Sequence, residues 1–119
     1  MPTFEAWDVV KLPFPYTDRP VRQRRPALVV GAGDLLEQHG LLWVLMITSA
    51  ENRAWPSDVP VGNLSAAALP VPSVVRTAKI AVVEARDAEL LGTMPPGDRA
   101  AVAASLRRHL SATIVGERS

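Results

Sequence analysis

The sequence contains no cysteine, which excludes a disulfide framework and a thiolate zinc site. Aromatic residues are scarce, at 5% of the chain against 48% apolar residues, so Val, Leu, Ile and Ala must build the core. The longest apolar stretch runs only from Leu41 to Ile47, far short of the roughly 20 residues that span a bilayer. The first twenty residues carry acids and prolines where a secretory signal needs an apolar run, and the expected location is therefore the cytoplasm. There is no Gly-rich phosphate loop, no HExxH and no Walker motif. The two histidines are His39, in a turn-like QHG, and His109. Both read as surface residues, and nothing in the sequence brings them to one phosphate as a general acid and base. Acids and histidines do not fall at ligand spacing, so neither a metal nor another cofactor is expected.

What is present suits one domain over residues 1–119. Prolines (11 in all) and glycines punctuate the first three quarters of the chain. Between them lie short apolar runs at Trp7–Leu12, Ala27–Val30 and Leu41–Thr48, followed by SVVRTAKIAVVE at Ser73–Glu84. Short strands at this spacing indicate a mainly β body, a small barrel or sandwich. The Leu41–Thr48 run is apolar almost throughout and rich in branched residues, so both its faces should be covered. Pro13–Gln23 and Glu51–Pro72 read as long loops, the second with a short helical turn near Leu64–Ala68. Pro95-Pro96-Gly97-Asp98 signals a helix start, and Val102, Ala103, Leu106, Leu110 and Thr113 recur at helical spacing behind it. The expected architecture is a β-rich domain closed by one C-terminal amphipathic helix.

Net charge is only +1, yet Arg19, Arg22, Arg24 and Arg25 fall close together with no acid between Asp18 and Asp34. Such a cluster makes a local positive field suited to phosphate, although a solvated basic loop has the same composition. Arg25 precedes Pro26 at the start of a strand, Thr48 and Ser49 end the most apolar strand, and Arg76 lies inside a later one. The planar guanidinium fork matches phosphate oxygens. Each residue also has an ordinary structural reading, with Arg76 paired to Glu84 or another acid.

Taken in order, WDVVKLPFPYTDRPVRQRRPALVV, MITSA and LPVPSVVRTAKIAVVE resemble three segments of the MazF/PemK toxin family. The resemblance implies an SH3-like barrel with a C-terminal helix, working as a homodimer. It further implies metal-free cleavage of single-stranded RNA to a cyclic phosphate and a 5′-hydroxyl, restrained by an antitoxin whose acidic tail blocks the RNA groove. By the same resemblance Arg25 and Thr48 take the catalytic positions, Ser49 that of a neighbouring hydroxyl, and Arg76 that of an arginine beside the phosphate. Arg19, Arg22 and Arg24 would line the groove along the RNA backbone. Phe14, Tyr16 and Trp55, in the two loops, are candidates for stacking on bases. Two positions depart from the family pattern: Ala6 replaces a glycine, and Ala78 replaces an aspartate that several members carry. Three alternatives accompany this reading: a CcdB-like toxin that poisons DNA gyrase, a non-catalytic remnant that binds RNA or antitoxin, and a plain SH3-like binding module.

Overall fold

The structure, a computed structural model, describes residues 3–14 and 23–115. Its centre is the apolar strand β3 (Leu41–Ser49), in which Leu42, Val44, Leu45, Met46 and Ile47 are all buried. Alternate residues of a strand face opposite ways, and here both faces are covered, as expected. Val44 and Met46 join one core cluster with Val10, Leu12, Ala27 and Val29. Leu45 and Ile47 join a second with Val9, Leu28, Val75, Met94 and Val102. β2 (Arg24–Gly31) and β5 (Ser73–Glu84) flank β3, and β1 (Asp8–Pro13) lies beside β2. The sheet is antiparallel with order β4-β5-β3-β2-β1-β6, so β4 (Asp58–Pro60) and β6 (Glu89–Thr93) form its edges.

The β-rich body and closing helix are as the sequence predicts, but three elements lack a sequence signal. α1 (Gly33–His39) buries no residue and therefore shows no apolar stripe. β4 has three residues, and β6 is half-exposed along its length. The helical turn expected near residue 64 is α2 (Leu64–Ala67), capped by the Asn63 side chain, which accepts from the Ala66 N–H at 3.0 Å. α2 packs over β6 at Gly92, where an added Cβ would stand 2.5 Å from the Ala66 carbonyl oxygen.

The terminal helix α3 (Arg99–Leu110) follows a turn of 3-10 helix at Pro96–Asp98 and continues into a wider π turn at Ser111–Val115. Val102 is its fully buried anchor, while Leu110 and Ile114 stay exposed. Asp98 does not cap this helix with its side chain. Its carboxylate instead accepts from the backbone N–H of Asn63 at 2.9 Å, tying the start of α3 to that of α2.

One irregularity falls in β5. Leu45 pairs with Ile80 but Met46 pairs with Arg76, so residues 77–79 bulge from β5. Thr77, 2% exposed, is held there by the Ser57 carbonyl (3.0 Å), the Ser105 hydroxyl (2.7 Å) and the His109 ring (3.3 Å). His109 therefore reaches back to the sheet. The glycine departure also moves: the left-handed residue of the turn before β1 is Trp7 (φ 79), next to Ala6. Trp7 keeps this backbone with hydrogen bonds to Val29 and Met94, and the Arg99 guanidinium lies 5.5 Å from its ring.

Candidate functional site

Pairing of β2 with β3 brings the first two candidates together. Ala27 stands opposite Met46. Arg25, two residues before Ala27, and Thr48, two residues after Met46, lie by strand alternation on the same face as that pair. Both line a cleft that also includes Lys11, Ser49 and Ser73, walled by Ile47, Leu69, Val71 and Leu91. Among the described residues Lys11 and Arg25 are the charged groups of this lining, which holds no carboxylate and no imidazole.

Arg25 is half-buried, and its Nη2 donates to the Gln23 side-chain oxygen at 3.0 Å. Its Nε is buried and without a partner among the described residues. A buried donor left unpaired costs roughly 1–3 kcal/mol, which makes the group a ready site for an incoming acceptor. Thr48 Oγ1 accepts from Asn52 Nδ2 at 2.6 Å. Ser49 Oγ accepts from the backbone N–H of Glu51 at 3.2 Å, and the Asn52 N–H closes the same turn onto the Ser49 carbonyl at 3.1 Å. The two hydroxyls thus lie at the end of β3 beside a tight turn that begins the second long loop.

Arg76 lies elsewhere. It stands directly opposite Asp58 on β4, and its Nε and Nη2 reach the two carboxylate oxygens at 3.2 and 3.0 Å. Nη2 also donates to the Arg53 carbonyl at 2.8 Å, and the Trp55 ring lies 4.5 Å from the guanidinium. With side chains only 8% and 9% exposed, the Arg76–Asp58 pair is a buried clip that fixes the loop to the sheet. The acid that pairs with Arg76 is therefore Asp58, while Glu84 meets Arg86. Trp55 is half-buried over this clip.

Arg24 is also absent from the cleft lining. It donates to the Lys11 carbonyl at 3.0 Å and meets Glu89 at 3.5 Å, bracing β2 across β1 to β6. Arg19, Arg22 and Tyr16 fall outside the described residues. Phe14, expected as a base-stacking residue, is 3% exposed within the first core cluster, so the structure corrects that expectation: its ring is packing material. Ala78 sits in the β5 bulge beside Ile80, Leu106 and His109.

Sequence reasoning missed Lys11 and Asn52. Lys11 is the exposed position of a strand whose neighbours Val10 and Leu12 are buried, a pattern shared by any wet strand face. Asn52 carried no signal, because its role comes from the turn geometry. Among the described residues no group of three acids or histidines could hold a metal ion, and no helix is long and apolar enough to cross a membrane.

Residues 5–110 match the family model of PemK-like, MazF-like toxins of type II toxin–antitoxin systems. Among solved structures, MazF of Deinococcus radiodurans is similar at 26% identity and a TM-score of 0.75, over 93% of this chain and 99% of that one. The MazE–MazF complex from the same organism is similar at 27% identity and a TM-score of 0.70, over 92% and 97%. A mycobacterial endoribonuclease bound to its cognate antitoxin shares the fold, at 15% identity and a TM-score of 0.70, over 93% and 96%. Among curated protein sequences, none matches significantly.

Proposed function

Because the chain belongs to the PemK-like, MazF-like toxin family of type II toxin–antitoxin systems, we propose that it is a metal-independent endoribonuclease of the cytoplasm that cuts single-stranded messenger RNA and so arrests growth. The observation that carries this reading is the meeting of Arg25, Thr48, Ser49 and Lys11 in one cleft, with no carboxylate among its described lining residues. Among the described residues such a lining has donors for a phosphate and no carboxylate to hold a divalent cation.

In this reading the RNA 2′-oxygen attacks its own 3′-phosphorus and the bond to the 5′-oxygen breaks. A 2′,3′-cyclic phosphate and a 5′-hydroxyl remain. Charge builds on the non-bridging oxygens, and the cleft acts by positioning and electrostatic stabilisation. Arg25, always charged, holds those oxygens with donors that include its unpaired Nε. Thr48 donates from the other side. Ser49 and Lys11 hold the flanking backbone. Among the described residues no imidazole or carboxylate lines the cleft; in this reading the 2′-hydroxyl proton passes to water and the leaving 5′-oxygen takes one from water. Arg76 is given a structural task, fixing the loop that follows Thr48.

The partner is an antitoxin whose acidic segment covers the cationic cleft, in keeping with the MazE–MazF complex of Deinococcus radiodurans. A second copy of the chain fits the exposed apolar residues Trp43, Ile80, Val82, Leu110 and Ile114.

The test is to incubate the purified protein and its Arg25→Ala variant with a long single-stranded RNA in EDTA and map the ends. Discrete cuts with 5′-hydroxyl ends are expected. The variant should lose roughly a hundredfold in rate, since one preorganised donor is worth about 2.7–4 kcal/mol. Intact RNA, or normal cutting by the folded variant, refutes the reading.

A further inference from the structure

A hydroxyl has one proton to give and two lone pairs to receive. What it can do for a substrate depends on which of these its neighbours already use. Thr48 Oγ1 receives a hydrogen bond from Asn52 Nδ2 at 2.6 Å. That bond fills a lone pair and leaves the proton uncommitted, and among the described residues it is the only one the Thr48 side chain makes.

Asn52 is held for this task by backbone. Its N–H closes onto the Ser49 carbonyl at 3.1 Å, and the neighbouring Ala50 N–H bonds to the Pro72 carbonyl at 2.9 Å. One residue beyond, the Arg53 carbonyl accepts from buried Arg76 at 2.8 Å. The backbone that carries the amide is therefore held on both sides, although Asn52 itself is exposed.

We propose that Asn52 is a positioning residue for Thr48: by donating to Oγ1 it makes the hydroxyl a dedicated donor to a phosphate oxygen in the cleft. This rests on the reading of Thr48 as a phosphate-facing group. It adds a direction to that hydrogen bond, and a residue that touches no substrate. Hydrogen bonds in a chain also polarise one another, so the amide strengthens the donor as well as orienting it.

The prediction follows from polarity. An aspartate at position 52 has nearly the same shape but is acceptor-only when ionised. It would capture the Thr48 proton and reverse the bond. Asn52→Ala merely releases the hydroxyl to rotate.

The experiment measures single-turnover cleavage of the mapped RNA by Asn52→Ala, Asn52→Asp, Thr48→Ala and the Asn52→Ala/Thr48→Ala double variant, with thermal melts to verify folding. Asn52→Ala should lose about tenfold in kcat with KM nearly unchanged, as an interaction realised in the transition state requires. Asn52→Asp should lose about a further tenfold, as expected when a charged acceptor replaces a donor. In the Thr48→Ala background, Asn52→Ala should cost less than about twofold, since its effect passes through the hydroxyl. Equal losses from Asn52→Ala with and without Thr48 overturn the proposal, as does an Asn52→Asp variant no worse than Asn52→Ala. Full activity in Thr48→Ala refutes the underlying assignment of Thr48 itself, a separate result from either of these.

Discussion

Replacing Arg76 by methionine keeps most of its volume and strands Asp58. The two side chains are 8% and 9% exposed and share two short contacts, so solvent can do little to compensate the carboxylate left behind. Breaking a buried ion pair by removing one partner costs about 3–5 kcal/mol. The loss of the Arg53 carbonyl contact and of the Trp55 ring over the guanidinium belongs within the same change. For a chain of 119 residues, unfolding entropy is about 0.25 kcal/mol/K near 60 °C. The expected fall in Tm is therefore about 12–20 °C, read by circular dichroism or calorimetry. Adding Asp58→Asn to Arg76→Met should raise Tm again, because the second change removes the stranded charge and an asparagine oxygen can still accept from the Trp55 N–H, as Asp58 does at 2.9 Å. A fall of less than about 4 °C for Arg76→Met would refute the reasoning, since about 1 kcal/mol is too little for a broken buried pair. Arg76 would then be free to serve a phosphate.

The other predictions concern the cleft and the bulge. Lys11→Ala should weaken binding of uncleavable single-stranded RNA and lower the slope of log K against log salt by about 0.7, the value for one phosphate contact on a single strand; an unchanged slope in a salt titration removes Lys11 from the interface. Thr77→Val keeps the shape but deprives the Ser57 carbonyl and the Ser105 hydroxyl of their shared partner. It should cost about 1–3 kcal/mol in urea unfolding, and a neutral result would mean that the bulge holds by packing alone.

The legible parts of the sequence were those governed by local pattern. Burial of β3 on both faces follows from a run in which nearly every residue is apolar, and Val102 and Leu106 announced α3 by their spacing. Arg25 and Thr48 were legible as strand ends, because proline and a change to polar residues mark such ends. What stayed hidden depends on partners distant in the chain. Asp58 meets Arg76 across β4 and β5, and no spacing within the sequence encodes that register. Phe14 lies just beyond a strand in a proline-rich segment, which reads as loop, yet its ring turns into the core. α1 and β6 are surface elements with little buried face, and without a buried face there is no period to detect. Asn52 gained meaning only once the turn after Ser49 placed its amide on a hydroxyl.

Gly92 stands on an edge strand and is not one of the residues that line the cleft, yet it helps to set the dimensions of that cleft. Leu69 and Val71, which form one wall, follow directly from α2, and α2 rests on the bare backbone at Gly92. The width of the cleft is thus gauged by a hydrogen atom in place of a side chain, with Leu91 of the same strand forming part of the lining. A methyl group there would meet the Ala66 carbonyl oxygen at 2.5 Å and the Ala67 backbone carbon at 2.8 Å, so the helix would have to shift and move the wall with it. The shape of the cleft can therefore drift through a residue outside its lining, set on the far side of the wall from the cleft itself.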